Sequence, residues 1–378
     1  MYKTIGILTG GGDAPGLNAV IRSVVKTSTG EYGMNVIGIE DGFEGLLGQT
    51  QTRPLLQSDV RGLLPRGGTI LGTRNRGRFV ERLDEGDSTT RDVYSEAMQN
   101  LDQLGIDSLI VLGGEGTLTI AAEFNRLGIP VVGVPKTIDN DLACTELTFG
   151  FVTALDIATE ALDRLHTTAE SHDRVMILEV MGRDTGWIAL HSGIAGGADV
   201  ILIPEIPFSM ESVADKVRAR DAGGSNFSII VVAEGAVEMG REQIFQDKGD
   251  RHHAPRLGGI AQYCRSNLEA LTGKETRCVV LGHLQRGGRP NAFDRMLATT
   301  FGACAVRALA QGQRGVMVAL QAGDIVTVPI SEAVANIKTV PPTGQMVRTA
   351  RDTGISFGAP DEAQYHRANG EESESLVA

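Results

Sequence analysis

The sequence lacks the features that mark membrane, secreted or disulfide-bonded proteins. Its 378 residues contain no apolar run near the ~20 residues that a membrane-spanning helix needs. The N-terminal segment MYKTIGILTG lacks the basic, apolar, small-residue order of a signal peptide, so we expect it to form the first strand. The chain has four cysteines and no CxxC pair, which favours reduced core thiols over disulfides or metal ligands. We therefore expect a cytoplasmic protein without a membrane partner.

Positive charge is also scarce. The chain carries 35 basic and 47 acidic residues, which gives a formal net charge of −12. General nucleic-acid binding depends on a surplus of Lys and Arg facing phosphates, so this composition argues against it. A local cluster of arginines can still oppose the mean field and bind a small anion.

The common nucleotide-binding glycine motifs are absent where they would be expected. No GxxxxGK[ST] segment occurs in the chain, and the segment GGGDAPGLNAVIR after the first apolar run does not follow GxGxxG. These absences weaken the P-loop and dinucleotide-binding interpretations.

Short β-rich apolar runs alternate with longer segments of helical periodicity. Runs such as TIGILT, SLIVLG and PVVGVP are apolar throughout, which is typical of strands in a parallel sheet covered by helices on both faces. The length exceeds what one hydrophobic core usually serves. The sequence therefore predicts an α/β protein with two doubly wound lobes and largely parallel sheets. Residues 236–258 are polar and are predicted to be a loop insertion.

Glycines cluster directly after two predicted strands, as GGG at 10–12 and GGEG at 113–116. Backbone exposed by glycine can bind an anion, and a following helix N-terminus adds to this. Glu115 presents one carboxylate there, which suits Mg²⁺ because this ion takes few protein carboxylates and keeps water and phosphate oxygens. Tight turns and a solvated glutamate are the alternative interpretation.

The segment PKTIDND follows the next strand and contains both carboxylates and a cation. Asp139 and Asp141 lie two residues apart, so in extended backbone their side chains would share a face. A carboxylate can accept the proton of an attacking hydroxyl group, and Lys136 or a metal ion can offset the repulsion between the two acids. A polar turn without function is the alternative interpretation.

Three further predicted strands end in or beside charged residues. Arg183 follows RVMILEV, Glu234 ends FSIIVVAE, and His283 with Arg286 stands at the end of CVVLGH. The planar guanidinium of arginine matches phosphate oxygens. Phosphoryl transfer is indicated by these strand-end residues taken together. They comprise glycine loops, one acid suited to a metal ion, a pair of acids that could include a general base, and several cations.

The same residues resemble the 6-phosphofructokinase family. The resemblance rests on nine segments in order and covers roughly residues 3–312: TGGGDAPGLNAVIR, RGGTILGT, GGEGTL, PKTIDND, SHDRV, EVMGRDTGW, AEG, ETRCVVLGHLQRGG and FDRMLAT. It implies a phosphofructokinase-like fold. It also implies a glycolytic kinase that transfers a phosphoryl group from Mg-ATP to the 1-hydroxyl of fructose 6-phosphate.

The resemblance implies roles for the residues near the transferred group. Asp139 would be the general base, Thr137 would hold the moving phosphoryl group with Ile138 beside it, and Asp141 would assist near the metal. Glu115 would be the magnesium-associated acid. The donor phosphates would be bound by Gly12, Gly114, Glu115, Gly116 and Thr117.

The resemblance also implies residues that bind the sugar phosphate. Arg183 would neutralise charge on the moving phosphoryl group. The other implied substrate contacts are Met181, Gly182 and Glu234 at the sugar, His283, Leu284, Gln285 and Arg286 at the 6-phosphate, and Arg174 and Arg277 from a neighbouring subunit. The last pair implies a homodimer or homotetramer.

Two positions bear on the phosphoryl donor. Members that use pyrophosphate have Lys at position 136 and typically Asp at position 116, whereas this chain combines Lys136 with Gly116, which is similar to the mixed-substrate group. Gly116 leaves space for the α-phosphate of ATP, and Lys136 can pair with Asp141. We therefore expect ATP as the donor, with diphosphate as the alternative. Arg74 or Arg76 is a further candidate donor contact.

Two other function classes remain open. GGEGT resembles the GGDGT loop of NAD kinases and lipid kinases, although these lack LGHLQRGG and MGRDTGW. A sugar-phosphate sensor without activity is the second rival. For the organisation of the chain, we predict a donor-binding lobe at 1–140 and a sugar-phosphate lobe at 141–340 whose chain crosses back near 280–312. Residues 341–378 are predicted to form a C-terminal extension with an acidic tail.

Overall fold

A computed structural model of the chain describes residues 2–74, 77–79, 88–247 and 256–360. Within these ranges strands and helices alternate along most of the chain. The strands are β1 (Thr4–Thr9), β2 (Asn35–Ile39), β3 (Thr52–Pro54), β4 (Ser108–Gly113), β5 (Val131–Thr137), β6 (Phe149–Gly150), β7 (Val175–Val180), β8 (Val200–Leu202), β9 (Ser228–Ala233), β10 (Phe245–Asp247), β11 (Arg256–Leu257), β12 (Thr276–Val280), β13 (Val316–Gln321) and β14 (Asp324–Pro329). The α-helices are α1 (Leu17–Glu31), α2 (Ser88–Gln103), α3 (Glu115–Arg126), α4 (Phe151–His172), α5 (Trp187–Ala195), α6 (Met210–Ala222), α7 (Ile260–Thr272), α8 (Ala292–Ala310), α9 (Ile330–Ala333) and α10 (Gln345–Asp352).

The chain folds into two compact units. The first comprises Met1–Ala154 and Arg286–Lys338, and the second comprises Leu155–Gln285 and the described residues from Thr339 onward. The division of function between a donor lobe and a sugar-phosphate lobe stays a prediction.

The first unit contains a sheet with the order β14-β13-β5-β4-β1-β2-β3, and β6 lies beside β5. The strands from β13 to β2 are parallel, whereas β14 and β3 run antiparallel to their neighbours. Alternate residues of β1 face opposite sides: Ile5 and Ile7 pack in a core with α1 and α8, and Leu8 packs in a second core with α2 and α3. Both faces are therefore buried, which explains the uninterrupted apolar strands.

The second unit contains a parallel sheet with the order β12-β7-β9-β8. Its core joins alternate residues of β7 and β9, such as Ile177 and Ile230, to Val213 of α6 and Leu268 of α7. The two mostly parallel sheets confirm the predicted α/β class.

The expectation that residues 236–258 form a loop is wrong in part, because β10 and β11 pair there in antiparallel orientation. These strands have only three and two residues and lie in a polar segment, so no apolar run indicated them.

The predicted C-terminal extension contains helix α10, and its acidic tail lies outside the described residues. Of the four cysteines, which were expected to be core thiols, only Cys264 is buried; Cys278 and Cys304 pack at the margins of cores and, like Cys144, are partly exposed. No helix in the described ranges has the length and apolar character to cross a membrane.

Candidate active site

The ends of three parallel strands build a cleft in the first unit. β5, β4 and β1 are neighbours, so the segments that follow them meet at one edge of the sheet, and the amide of Gly10 donates to the carbonyl oxygen of Leu112 at 2.9 Å. The cleft has a volume of about 1290 Å³. The sequence-predicted residues that line it are Gly12, Gly114, Glu115, Gly116, Thr117, Lys136, Thr137, Asp141 and Arg286.

The glycines of this edge permit close packing. A Cβ atom on Gly10 would lie 2.6 Å from Cγ2 of Thr117, and one on Gly113 would lie 2.3 Å from its Cβ. A Cβ on Gly12 would lie 2.8 Å from Nη1 of Arg286. Gly116 differs, because a Cβ there would meet no atom within 4 Å. Packing therefore requires glycine at positions 10 and 113, whereas at Gly12 the close contact is with the end of a flexible side chain, and at Gly116 the space toward the cleft is open.

Helix α3 points its N-terminus into the cleft. Gly114 precedes the helix, and the first helical bond runs from the amide of Leu118 to the carbonyl oxygen of Gly114 at 3.0 Å. The amides of residues 115–117 thus have no acceptor within the helix. Such amides, together with the positive end of the helix dipole, favour a bound anion.

Lys136 is buried between the loops that follow β1 and β5. Its side chain is 4% exposed, and Nζ donates to the carbonyl oxygen of Gly12 at 2.5 Å. Burial lowers the pKa of Lys136 to about 8, with a further lowering by Arg286, whereas Asp141, Asp139 and Asp13 oppose the change. The ammonium is thus close to the carboxylates of Asp139 and Asp141, but it donates its hydrogen bond to the glycine loop after β1.

The segment after β5 turns sharply instead of continuing as extended chain. Asn140 has a φ of 52°, so the expectation that Asp139 and Asp141 share a face of an extended segment is wrong. The amide of Asp139 donates to Oγ1 of Thr137 at 3.0 Å. Asp141 lines the cleft, whereas Asp139 does not, and Ile138 is fully buried, so the structure exposes no part of Ile138 to a substrate.

Glu115 and Asp141 are carboxylates of the cleft that could hold a metal ion. Among the described residues, no group of three or more His, Cys, Asp and Glu side chains could hold one. This donor set fits Mg²⁺, which commonly uses one or two protein carboxylates and completes its shell with phosphate oxygens and water.

An apolar wall lines another part of the same cleft and was missed by the sequence analysis. It includes Phe43, Phe79 and Tyr94. Phe43 stacks on Phe124 with ring centroids 5.1 Å apart, and Phe79 meets Tyr94 edge to face at 5.2 Å. Burial, with a smaller contribution from Glu123, raises the pKa of Tyr94 to about 12. These aromatic residues are far apart in sequence, so no motif could have joined them.

Of the two arginines considered as donor contacts, Arg74 lines the cleft. Its Nη2 lies 3.0 Å from Oδ2 of Asp41, another cleft residue. Arg76 lies outside the described residues.

In the second unit, neighbouring parallel strands also bring predicted residues to one edge. Met181 follows β7, Glu234 follows β9 and His283 follows β12. Gly182 has a φ of 140°, and Arg183 is exposed at the surface of this unit. The loops after β7 and β9 touch through their backbones, because the amide of Gly235 donates to the carbonyl oxygen of Gly182 at 3.0 Å.

The motif LGHLQRGG divides into a buried and an exposed part. Gln285 is fully buried; its Oε1 accepts from the amide of Met181 at 3.3 Å and its Nε2 donates to the carbonyl oxygen of Gly282 at 3.1 Å. His283 and Leu284 are exposed. Gln285 therefore holds the loop after β7 against the end of β12, rather than facing a ligand.

Arg174 and Arg277, which the sequence analysis assigned to a subunit interface, converge on one acid. Nη2 of Arg174 lies 2.9 Å from Oε1 of Glu275, and Nη2 of Arg277 also pairs with this oxygen. The hydrogen bond from Arg174 is the main reason why the pKa of Glu275 is lowered. Glu275 was missed because an acid beside an arginine has no specific sequence signal.

The sequence model of the family described as Phosphofructokinase matches residues 4–309. The chain belongs to this family. The phosphofructokinase fold also accounts for a similarity to the crystal structure of Pichia pastoris phosphofructokinase in the T-state. That similarity has a TM-score of 0.78 at 32% identity and covers 96% of this chain and 38% of the other.

Two curated relatives carry different donor names. A Chloroflexus aurantiacus protein named ATP-dependent 6-phosphofructokinase is 60% identical over 94% of this chain and 98% of the relative. A Streptomyces coelicolor protein named pyrophosphate–fructose 6-phosphate 1-phosphotransferase is 50% identical over 94% of this chain and 99% of the relative.

Proposed function

We propose that this phosphofructokinase transfers a phosphoryl group from Mg-ATP to the 1-hydroxyl of D-fructose 6-phosphate, giving fructose 1,6-bisphosphate and ADP. The observation that carries the proposal is the composition of the first unit's cleft. Glycine loops and the N-terminus of α3 suit a polyphosphate, and the aromatic wall of Phe43, Phe79 and Tyr94 suits a nucleobase. A cleft with both parts fits a nucleoside triphosphate.

Asp139 is the general base in this proposal. It removes the proton of the 1-hydroxyl as the oxygen attacks phosphorus, and the proton passes to its carboxylate. Thr137 donates to the moving phosphoryl group, and its contact with the amide of Asp139 keeps both groups in one turn. Arg183 neutralises the charge that develops on the transferred group.

Glu115, with help from Asp141, would hold Mg²⁺, which would supply positive charge against the donor phosphates. The amides of residues 115–117 and of the loop at Gly12 bind the same phosphates, so the chain supplies positive electrostatic potential from backbone as well as from side chains.

In this proposal Met181, Gly182 and Glu234 contact the sugar, and His283, Leu284 and Arg286 are the contacts of the 6-phosphate. Arg174 and Arg277 act from a neighbouring subunit of a homodimer or homotetramer. Their shared contact with Glu275 supports a joint role, because it holds the two guanidinium groups beside each other.

Diphosphate is the second candidate donor, and Lys136 is the observation that favours it. Its buried ammonium could contact the transferred phosphoryl group directly. ATP is the preferred donor because the open space at Gly116 would admit an α-phosphate. Diphosphate also has no base that could pack against the aromatic wall. The ATP-dependent name of the 60% identical relative supports the same choice.

Steady-state assays with fructose 6-phosphate and Mg²⁺ test the proposal with each donor in turn. We expect efficient turnover with ATP. Turnover with diphosphate and none with ATP would overturn the choice of donor. The variant Tyr94→Ala adds a second test: its KM for ATP should rise about three- to tenfold, as loss of aromatic contacts implies, whereas any KM for diphosphate should not change. An equal effect on both donors would contradict a nucleobase at the aromatic wall.

A further inference from the structure

Lys338 makes a set of contacts around the turn that holds Asp139 and Asp141. Its Nζ donates to Oδ1 of Asn140 at 3.0 Å, to the carbonyl oxygen of Thr145 at 2.9 Å and to that of Glu146 at 3.0 Å. A lysine ammonium has three donor hydrogens, and these three acceptors lie on the turn and on the loop that follows it. The side chain thereby joins the two sides of the loop that follows β5.

The backbone of the same segment pairs with the turn. The amide of Lys338 donates to the carbonyl oxygen of Asp141 at 2.8 Å, and Ile337 forms an antiparallel bridge with Leu142. The chain at 337–338 thus lies against 141–142, although almost 200 residues separate them in sequence. The family's sequence model ends at residue 309 and does not include this segment.

Asn140 connects Lys338 to the two carboxylate residues that flank it in the turn. It lies between Asp139 and Asp141 and has a φ of 52°, a conformation that non-glycine residues seldom adopt. Its Oδ1 accepts from Nζ of Lys338 and also from the amide of Thr148 at 3.1 Å. An ion-to-amide hydrogen bond at this residue helps to stabilise the left-handed turn, and the turn sets the directions of the residues on either side.

The charge of Lys338 acts on the same turn. Asp141 and Glu146 are the acidic groups that face its ammonium. Lys136 is influenced by Asp141 as well, so the electrostatic effect of this carboxylate extends to two lysines, the buried Lys136 and the half-buried Lys338. One of them contacts the glycine loop and the other contacts the turn.

We propose that Lys338 is a positioning residue, which fixes the turn from Asp139 to Asp141 and so sets the rate of phosphoryl transfer without touching either substrate. This inference rests on the proposed function, in which Asp139 is the base. Small displacements of a reacting group are costly, since an error of about 1 Å can lower a rate by about 100-fold.

The test compares Lys338→Met with the wild-type protein. Methionine keeps much of the side-chain length and removes all three donors. We expect kcat to fall about 10- to 100-fold, with the dissociation constant of fructose 6-phosphate and the KM of ATP within about twofold. Hydrogen exchange at the amides of 139–142 should become faster. Lys338→Arg, which keeps a cation and donors, should recover part of the lost kcat.

Lys216→Met is the matched control. Nζ of Lys216 donates to the carbonyl oxygen of Gly354 at 2.7 Å, so this variant also removes a lysine-to-carbonyl contact, but at a site in the second unit with no proposed role. Its kcat should equal that of the wild type. Thermal unfolding of each variant allows rates to be corrected to the folded fraction.

Three outcomes would overturn the proposal: wild-type kcat in Lys338→Met, unchanged exchange at 139–142, or a loss of rate that disappears on correction for folded protein. If the wild-type chain forms no bisphosphate from fructose 6-phosphate with either donor, the proposed function fails instead. The exchange comparison would then still decide whether Lys338 holds the turn.

Discussion

The ammonium of Lys136 donates to the carbonyl oxygen of Gly12 at 2.5 Å. This contact joins the end of β5 to the glycine loop after β1. Both segments were predicted from the sequence to lie near the transferred phosphates. It also places a buried cation beside Asp139 and Asp141, whose charges offset part of its desolvation. The donor loop and the turn that carries the proposed base are therefore coupled through one lysine.

The pH dependence of stability should report the burial of Lys136. Its pKa is about 8 in the folded protein and 10.5 as the ordinary value. Between these values the unfolded chain binds more protons at this site than the folded chain, so folding is favoured as pH rises. We expect the unfolding free energy of the wild type, relative to that of Lys136→Met, to increase between about pH 8 and pH 10.5 by about 3 kcal/mol in total.

Urea unfolding of both proteins across that range measures the difference, and the subtraction removes groups that titrate in both. A difference that stays flat from pH 7 to pH 10.5 would show that Lys136 has no lowered pKa. A difference that falls as the pH rises above 10.5 would show a lysine stabilised in its charged form.

Gly116→Asp should impair the use of ATP with little effect on the fold. The space at Gly116 is open, and an acid in the first turn of α3 is favourable for the helix dipole. A carboxylate about 4 Å from a phosphate repels it by about 4 kcal/mol at an effective dielectric constant of about 20. We therefore expect the KM for ATP to rise about tenfold or more, with any turnover of diphosphate retained.

Gly116→Asn separates charge from size in this test. Asparagine has nearly the same shape without the charge, so its effect on the KM for ATP should be much smaller. Equal losses in the two variants would mean that the space, rather than the electrostatic potential, decides the donor.

Gly67→Ala should lower stability through a backbone clash. A Cβ atom there would lie 1.9 Å from the carbonyl oxygen of Gly288, and backbone cannot move aside as a side chain can. We expect the free energy of unfolding to fall by about 1–3 kcal/mol, as measured by denaturant titration. Gly30→Ala is the control: it lies in α1 with no atom within 4 Å, and it should raise stability by about 0.5–1 kcal/mol. A neutral result at Gly67 would contradict the close contact.

The layered α/β fold could be predicted from sequence because it depends on local patterns. Strands such as β1 and β4 match predicted apolar runs residue for residue, since burial on both faces removes any need for polar alternation. The grouping of glycine loops at one sheet edge was predicted by the same reasoning. The sequence did not predict the strands that are short or flanked by polar residues, which are β3, β6, β10, β11 and β14.

The supporting residues of the site could not be predicted, because they act through distant contacts. Lys338 contacts the turn although it lies 198 residues after Asn140 in the sequence. Glu275 could be recognised as a site residue only from its contacts with Arg174 and Arg277. Gln285 was assigned to the substrate from its motif, yet its side chain is fully buried and bonds to Met181 and Gly282. A motif identifies which residues belong together but does not separate those that face a ligand from those that hold the loop.

The kinetics of Asp139→Asn test the central claim most directly. Asparagine keeps the size of the side chain and removes the proton acceptor. We expect kcat for fructose 1,6-bisphosphate formation from Mg-ATP to fall by about 10²- to 10⁴-fold, as loss of a general base implies. The dissociation constant of fructose 6-phosphate should stay within about twofold of the wild-type value. A variant that forms the bisphosphate at the full wild-type rate would contradict the assignment of Asp139 as the base.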